Sequence, residues 1–157
     1  MKSVEASIRK HLSSIDARTM QLATAINNQP WICTVYFVID DDLNIYWLSL
    51  SSRRHSREIA ENNKVAATIP IKQDQPVIGV QVEGKAEEAT DKPTIASVMK
   101  RYVTKYKVGD KFYDRLNEGK NQHHVYRLKP SVLVLFDELN FKDRGRIEWN
   151  IVEKRGL

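Results

Sequence analysis

The stretch Ser51-Ser52-Arg53-Arg54-His55-Ser56-Arg57 gathers guanidiniums, an imidazole and hydroxyls at the start of a short helical pattern. That pattern runs through Ile59-Ala60 and ends at Asn62-Asn63. Ser52 has the side chain of an N-cap, which puts Arg53, Arg54 and His55 in the first turn. Cations there oppose the helix dipole by about 0.3–1 kcal/mol each, so the arrangement makes sense if an anion sits among them. A helix N-terminus already offers N–H groups without intrahelical partners and a partial positive charge. The chemistry expected is phosphate binding. The alternative is an Arg-rich turn on a solvated basic surface, with the helix starting at Ser56. No G-x-x-x-x-G-K-[ST] loop is present and the six glycines are scattered. A phosphate would therefore be held by side chains and a helix end rather than by a glycine cradle.

Other reactive residue types carry weaker expectations. His123 and His124 are adjacent, and neighbours on a strand point to opposite faces, so they do not share a metal ion; no metal site is expected. Cys33 lies in an apolar run with no base beside it and reads as a buried, inert thiol. It is the only cysteine, which excludes an intramolecular disulfide and a thiolate zinc cluster. Asp40-Asp41-Asp42 reads as a hairpin turn. Of Trp31, Trp47 and Trp149, core or interface packing is the default, with one near a ligand. Nothing resembles the elbow of a serine nucleophile.

The elements that would position these residues are mostly strands. Val4, Ile8, Leu12 and Ile15 recur at helical spacing, predicting a helix over 3–15. Met20–Ile26 predicts a strand, followed by a turn at Asn27-Asn28-Gln29-Pro30. Trp31–Ile39 is β-branched and aromatic throughout, which predicts a strand buried on both faces. The acidic turn joins it to Leu43–Ser49 in a hairpin. Strands are expected at Val65–Ile71 and Val77–Ala89, the latter with a bulge or bend at Gly84. Asp91-Lys92-Pro93 opens a helix with Ile95, Val98, Tyr102 and Tyr106 as its apolar stripe. Asp110–Leu116 predicts a further short helix. His124–Leu128 and Val132–Phe136 predict two strands separated by Lys129-Pro130. Ile147, Trp149 and Ile151 alternate in the tail as an edge strand. About seven strands with few crossover helices exclude a doubly wound parallel sheet and predict an antiparallel barrel with peripheral helices.

At 157 residues, 41% hydrophobic and 29% charged, one globular domain spanning 1–157 is expected. The residues behind Met1–Glu5 do not form the apolar run of a signal peptide. No apolar run reaches the roughly 18–20 residues that span a bilayer. A cytoplasmic location is therefore expected. The net charge of +5 is interspersed with Asp40-Asp41-Asp42 and Glu83, Glu87 and Glu88. It favours anionic ligands without making a nucleic-acid footprint.

In the order and spacing of its motifs, the chain resembles the pyridoxamine 5'-phosphate oxidase-like family of FMN-binding split barrels. The likeness rests on Gln29–Tyr36, the acidic turn, Leu43–Ser49, Ser52-Arg53-Arg54-His55-Ser56-Arg57-Glu58-Ile59, Asn62–Ile69, Val80–Ala86 and Tyr126–Pro130. It is nearest the small single-domain members with an Arg-His turn. It implies an antiparallel split barrel and a homodimer with FMN at its interface. It places Arg54 and His55 on the FMN phosphate, where the family has an Arg-Lys pair, with Ser52 and Arg53 in the same turn. Ser49 falls where the family has a hydroxyl ending the preceding strand. Cys33, Thr34 and Val35 fall on the strand that runs along the flavin ring. An arginine that the oxidase carries near Cys33 is missing, its glutamine near the flavin falls at Gly79, and its C-terminal Arg/His motif is not recognisable in Ile147–Leu157. The resemblance thus implies an FMN-binding oxidoreductase for a small molecule other than pyridoxamine phosphate. A non-catalytic flavin, haem or other cofactor-binding sensor of the same fold is the alternative.

Overall fold

The computed structural model describes residues 3–109, 111, 123–143 and 145–151. Eight strands and three helices occur among them. In chain order they are α1 (Val4–Ser13), β1 (Thr19–Ile26), β2 (Gln29–Tyr36), β3 (Val38–Ile39), β4 (Ile45–Leu50) and α2 (Arg54–Glu61). There follow β5 (Lys64–Lys72), β6 (Ile78–Ala89), α3 (Lys92–Tyr106), β7 (His123–Asp137) and β8 (Arg146–Asn150). All pairings are antiparallel, in the order β2-β1-β5-β6-β7-β4-β3, with β8 added alongside β7. The sheet curls into the half-barrel expected from the strand pattern.

The two ends of this sheet, β2 and β3, are consecutive in sequence and separated only by Phe37. The expected single strand Trp31–Ile39 is therefore broken at Phe37. Side chains of α3 satisfy the backbone at the break. The Phe37 N–H donates to the Tyr106 hydroxyl at 3.1 Å, and its carbonyl accepts from Tyr106 and from Lys105 Nζ. Among the described residues, β2 pairs with β1 alone, and β4 pairs with β3 and β7. The barrel is split between β2 and β4.

Alternation decides which residues fill the interior. Met20, Leu22, Ile45, Trp47, Ile69, Val80, Leu128, Leu133 and Leu135 converge with Ile8 and Leu12 of α1. Full burial of such side chains stabilises by about 1.5–3 kcal/mol each. Helix α3 packs Val98 and Tyr102 against Val38, Tyr46 and Val125. Its start follows the expectation, with Asp91 accepting from the Thr94 N–H at 3.0 Å and Pro93 in the first turn.

Three further expectations need correction. Strand β2 is not buried on both faces: Trp31, Ile32 and Tyr36 are 40%, 60% and 58% exposed, because β2 ends the sheet and, among the described residues, pairs with β1 alone. Pro130 does not end a strand. It lies within the 15-residue β7, in the gap between residues paired to β4 and residues paired to β8, beside a register shift opposite Gly84. That shift bears out the bulge expected at Gly84, where a Cβ would sit 2.3 Å from the Lys129 carbonyl oxygen. Finally, α2 is capped by Arg53 rather than Ser52. The tail alternation around Ile147 forms β8. All of the expected helix over 110–116 except Lys111 lies outside the described residues.

Candidate functional site

The split between β2 and β4 opens as a cleft of about 580 Å³. One wall is Trp31, Cys33, Thr34, Val35 and Tyr36; the other is Leu48, Ser49 and Leu50. The start of α2 closes one end with Arg53, Arg54 and His55, and Tyr102 and His123 complete the lining. Seven of the eight site residues expected from sequence thus meet in one place. Ser52 is exposed and not in the lining; its carbonyl accepts from Arg57 at 2.6 Å.

The first intrahelical bond of α2 runs from the Arg57 N–H to the Arg53 carbonyl at 3.1 Å. The N–H groups of Arg54, His55 and Ser56 therefore have no intrahelical acceptor, and Arg53 provides no side-chain cap. This turn, with exposed arginines beside it, has the donor set of an anion site. The first turn contains no acidic residue.

The two basic residues expected to act as a pair differ in environment. Arg54 stacks its guanidinium over Trp31, 4.2 Å from the ring centroid, and donates from Nε to Glu58 Oε1 at 2.7 Å. Glu58 is buried, and its second oxygen accepts from the Thr24 hydroxyl. That bond, then Arg54, holds the Glu58 carboxyl below the ordinary carboxylate range. His55 is 8% exposed and hydrogen-bonded through Nε2 to Ser49 Oγ at 2.8 Å. Burial first, then the neighbouring Arg53, lowers its pKa from 6.5, with Glu58 opposing. In the ligand-free chain at neutral pH, His55 is thus a neutral imidazole. The third cation expected in this turn is removed by burial.

Cys33 is half-buried on β2, and burial, then Glu58, pushes its thiol up to about 11. It is no thiolate nucleophile at neutral pH. Trp47 lies in the core and Trp31 in the cleft. His123 lines the cleft, whereas His124 meets Glu88 on the neighbouring strand β6 at 2.5 Å, as strand alternation requires. Gly79 pairs with Pro70 and Phe136 within the sheet, away from the lining.

Sequence reasoning did not place Tyr102, His123, Leu48, Leu50, Glu58 or Thr24. Tyr102 arrives on α3, donating its hydroxyl to the Tyr36 carbonyl at 2.6 Å. Burial holds its pKa well above 10.0. Only Glu58 had a local signal, standing four residues after Arg54 on one helix face.

The sequence profile of the pyridoxamine 5'-phosphate oxidase family matches residues 5–136. No curated protein matches the chain. Solved structures share its fold. A conserved hypothetical protein of Mycobacterium tuberculosis is 19% identical over 100% of this chain and 90% of its own, with a TM-score of 0.70. An FAD-binding protein of Mesorhizobium loti is 19% identical over 85% and 92%, with a TM-score of 0.59. A haem storage protein of Vibrio cholerae is 16% identical over 82% and 91%, with a TM-score of 0.59. At such identities the likeness is one of fold. Among the described residues no helix is long and apolar enough to cross a membrane.

Proposed function

The chain belongs to the pyridoxamine 5'-phosphate oxidase family, and we propose that it is a cytoplasmic FMN-binding oxidoreductase acting on a small molecule. The observation that carries this is the uncapped, arginine-flanked start of α2 closing one end of an elongated cleft. Trp31 to Tyr36 is five strand steps, roughly 17 Å at 3.3–3.4 Å each. The cleft therefore has room for a phosphate at one end and a flat ring system along β2. Arg53, Arg54 and the N–H groups of α2 would hold the phosphate, with His55 and Ser49 beside it. The backbone of Cys33–Val35 would orient the ring. Bound FMN would supply hydride or electron transfer; the chain would supply anchoring and orientation.

Strand β2 and the sheet face beside it favour a homodimer. Ile32 is exposed next to a second, shallow cleft of about 470 Å³ formed by Ala66, Val132, Val134, Arg146 and Glu148 among others. A second copy would bury this apolar area. Sedimentation of the purified protein is expected at twice the chain mass.

A non-catalytic haem-binding role is the rival. One observation favours it: two imidazoles, His55 and His123, line the same cleft, and neutral His55 is in the form that ligates iron. The visible spectrum separates the readings, flavin absorbance supporting the first and a Soret band the second. In fluorescence titration FMN is expected to bind far more tightly than riboflavin, which lacks the phosphate. Equal affinities would overturn the phosphate assignment.

A further inference from the structure

Resting on the reading that Arg54 receives a phosphate, we propose that Thr24, Glu58 and Trp31 are positioning residues that preset the Arg54 guanidinium for an anionic ligand. They come from β1, α2 and β2; Glu58 and Trp31 touch the arginine itself, and Thr24 acts through Glu58. Glu58 Oε1 takes the Nε hydrogen at 2.7 Å, leaving the terminal nitrogens for the cleft. The Trp31 ring lies 4.2 Å from the guanidinium carbon and limits its swing. Thr24 donates to the other oxygen of Glu58 and so fixes the carboxylate in turn. Thr24 and Trp31 are cross-strand partners in the β1–β2 ladder, so both anchors belong to one rigid hairpin.

An Arg–Glu pair four residues apart is ordinary on helix surfaces and contributes little there. This one differs in burial. Glu58 is 7% exposed and Thr24 is 3% exposed, so the carboxylate is not free to follow the arginine into solvent. A flexible arginine loses rotamer freedom when it closes on a ligand; one held beforehand has already lost it. A buried anion behind the arginine also acts as a countercharge, which would weaken a phosphate. The two roles predict opposite effects of removing it.

The test measures FMN and riboflavin dissociation constants by flavin fluorescence for the intact protein and four variants: Glu58→Gln, Glu58→Ala, Thr24→Val and Trp31→Leu. Riboflavin reports whether the cleft is still formed, and the ratio of the two constants isolates the phosphate contribution. Glu58→Ala is expected to reduce the FMN preference about tenfold, the scale of one charge-assisted hydrogen bond. Glu58→Gln is expected to keep it within about twofold, because its oxygen still accepts from Arg54 Nε and its amide can donate to Thr24. Thr24→Val and Trp31→Leu are expected to reduce it by about threefold, as weaker supports. If Glu58→Gln and Glu58→Ala both leave the preference unchanged or increase it, the proposal is overturned and Glu58 is a countercharge only. Should Glu58→Ala not fold, an undiminished preference in both Thr24→Val and Trp31→Leu overturns it equally. A wild-type protein with no FMN preference removes the phosphate reading itself, and this proposal with it.

Discussion

Glu58 and Asp137 are both buried acids, and both carboxyls are held below the ordinary range, yet their bonds run to different places. Asp137 accepts the N–H groups of Leu139 and Asn140 at 3.1 and 2.9 Å and the Asn140 side-chain amide at 2.8 Å. Its second oxygen also lies 3.1 Å from His11 Nε2. Burial would push its pKa up, and the Asn140 bonds and His11 more than offset that. All of these contacts close the turn after β7 and fasten α1 to it. Glu58 instead divides its oxygens between a hydroxyl inside the sheet and an arginine at the mouth of a cleft. A carboxylate that accepts from the backbone of its own turn fixes that turn; one that ends on a cationic side chain at a cleft also fixes where that side chain stands.

The largest effect that would sharpen this contrast is on stability. Asp137→Ala strands two backbone N–H groups and is expected to lower the unfolding free energy by about 3 kcal/mol in urea titration. The ratio of FMN to riboflavin affinity should stay unchanged. A collapse of that ratio would break the comparison, because Asp137 would then be coupled to the cleft.

Next is the arginine that Glu58 serves. Arg54→Ala is expected to weaken FMN by about 10- to 100-fold, or about 1.5–3 kcal/mol. Riboflavin affinity should change by less than about twofold if the phosphate alone is lost. Flavin fluorescence reads both.

Acid should then separate the two carboxylates. Each has a folded pKa below its ordinary value of 4.5 or 3.8. Their contributions are therefore complete above those values and decline as pH falls through the lower folded-state values. Without Arg54, Glu58 loses one of the causes of its depression. Arg54→Ala should consequently show a shallower loss of stability on acidification than wild type, while Asp137 contributes equally to both. Denaturation midpoints measured at successive pH values test this.

The smallest effect belongs to His55. Its free-state pKa is below 6.5, and a phosphate beside it would raise the bound-state value. The protein then takes up a proton on binding, so affinity falls as pH rises through the bound-state pKa. On acidification it increases until the lower, free-state pKa is passed. A change on the order of threefold is expected. His55→Gln should flatten it, and an identical profile in both proteins would remove His55 from the phosphate site.

Much of the candidate site, as a set of residues that meet in one cleft, could be read from the chain because its signals are local. The cationic turn, the β2 run and Ser49 are short segments whose residue types state their chemistry. The fold class was readable for the same reason: period-2 alternation in β6 and a capped start to α3 are properties of neighbouring residues. The misreadings fall where neighbours in space decide. Apolar residues on both faces of Trp31–Ile39 suggested burial, but burial depends on what covers a strand, and β2 ends its sheet. Pro130 reads locally as a strand breaker, and only the gap between β4 and β8 makes it harmless.

The sequence by itself determined that a cation-rich helix start follows one strand of an antiparallel barrel, because helix dipoles and side-chain periods act over a few residues. Tertiary structure alone decided where that start points and in what state its residues stand. The break at Phe37 separates β2 from β4 and creates the cleft. Burial against Ser49 neutralises His55, and Thr24, distant in sequence, fixes the carboxylate that holds Arg54. Dielectric, solvent exclusion and side-chain restraint are set by whatever packs nearby, and those neighbours come from across the chain.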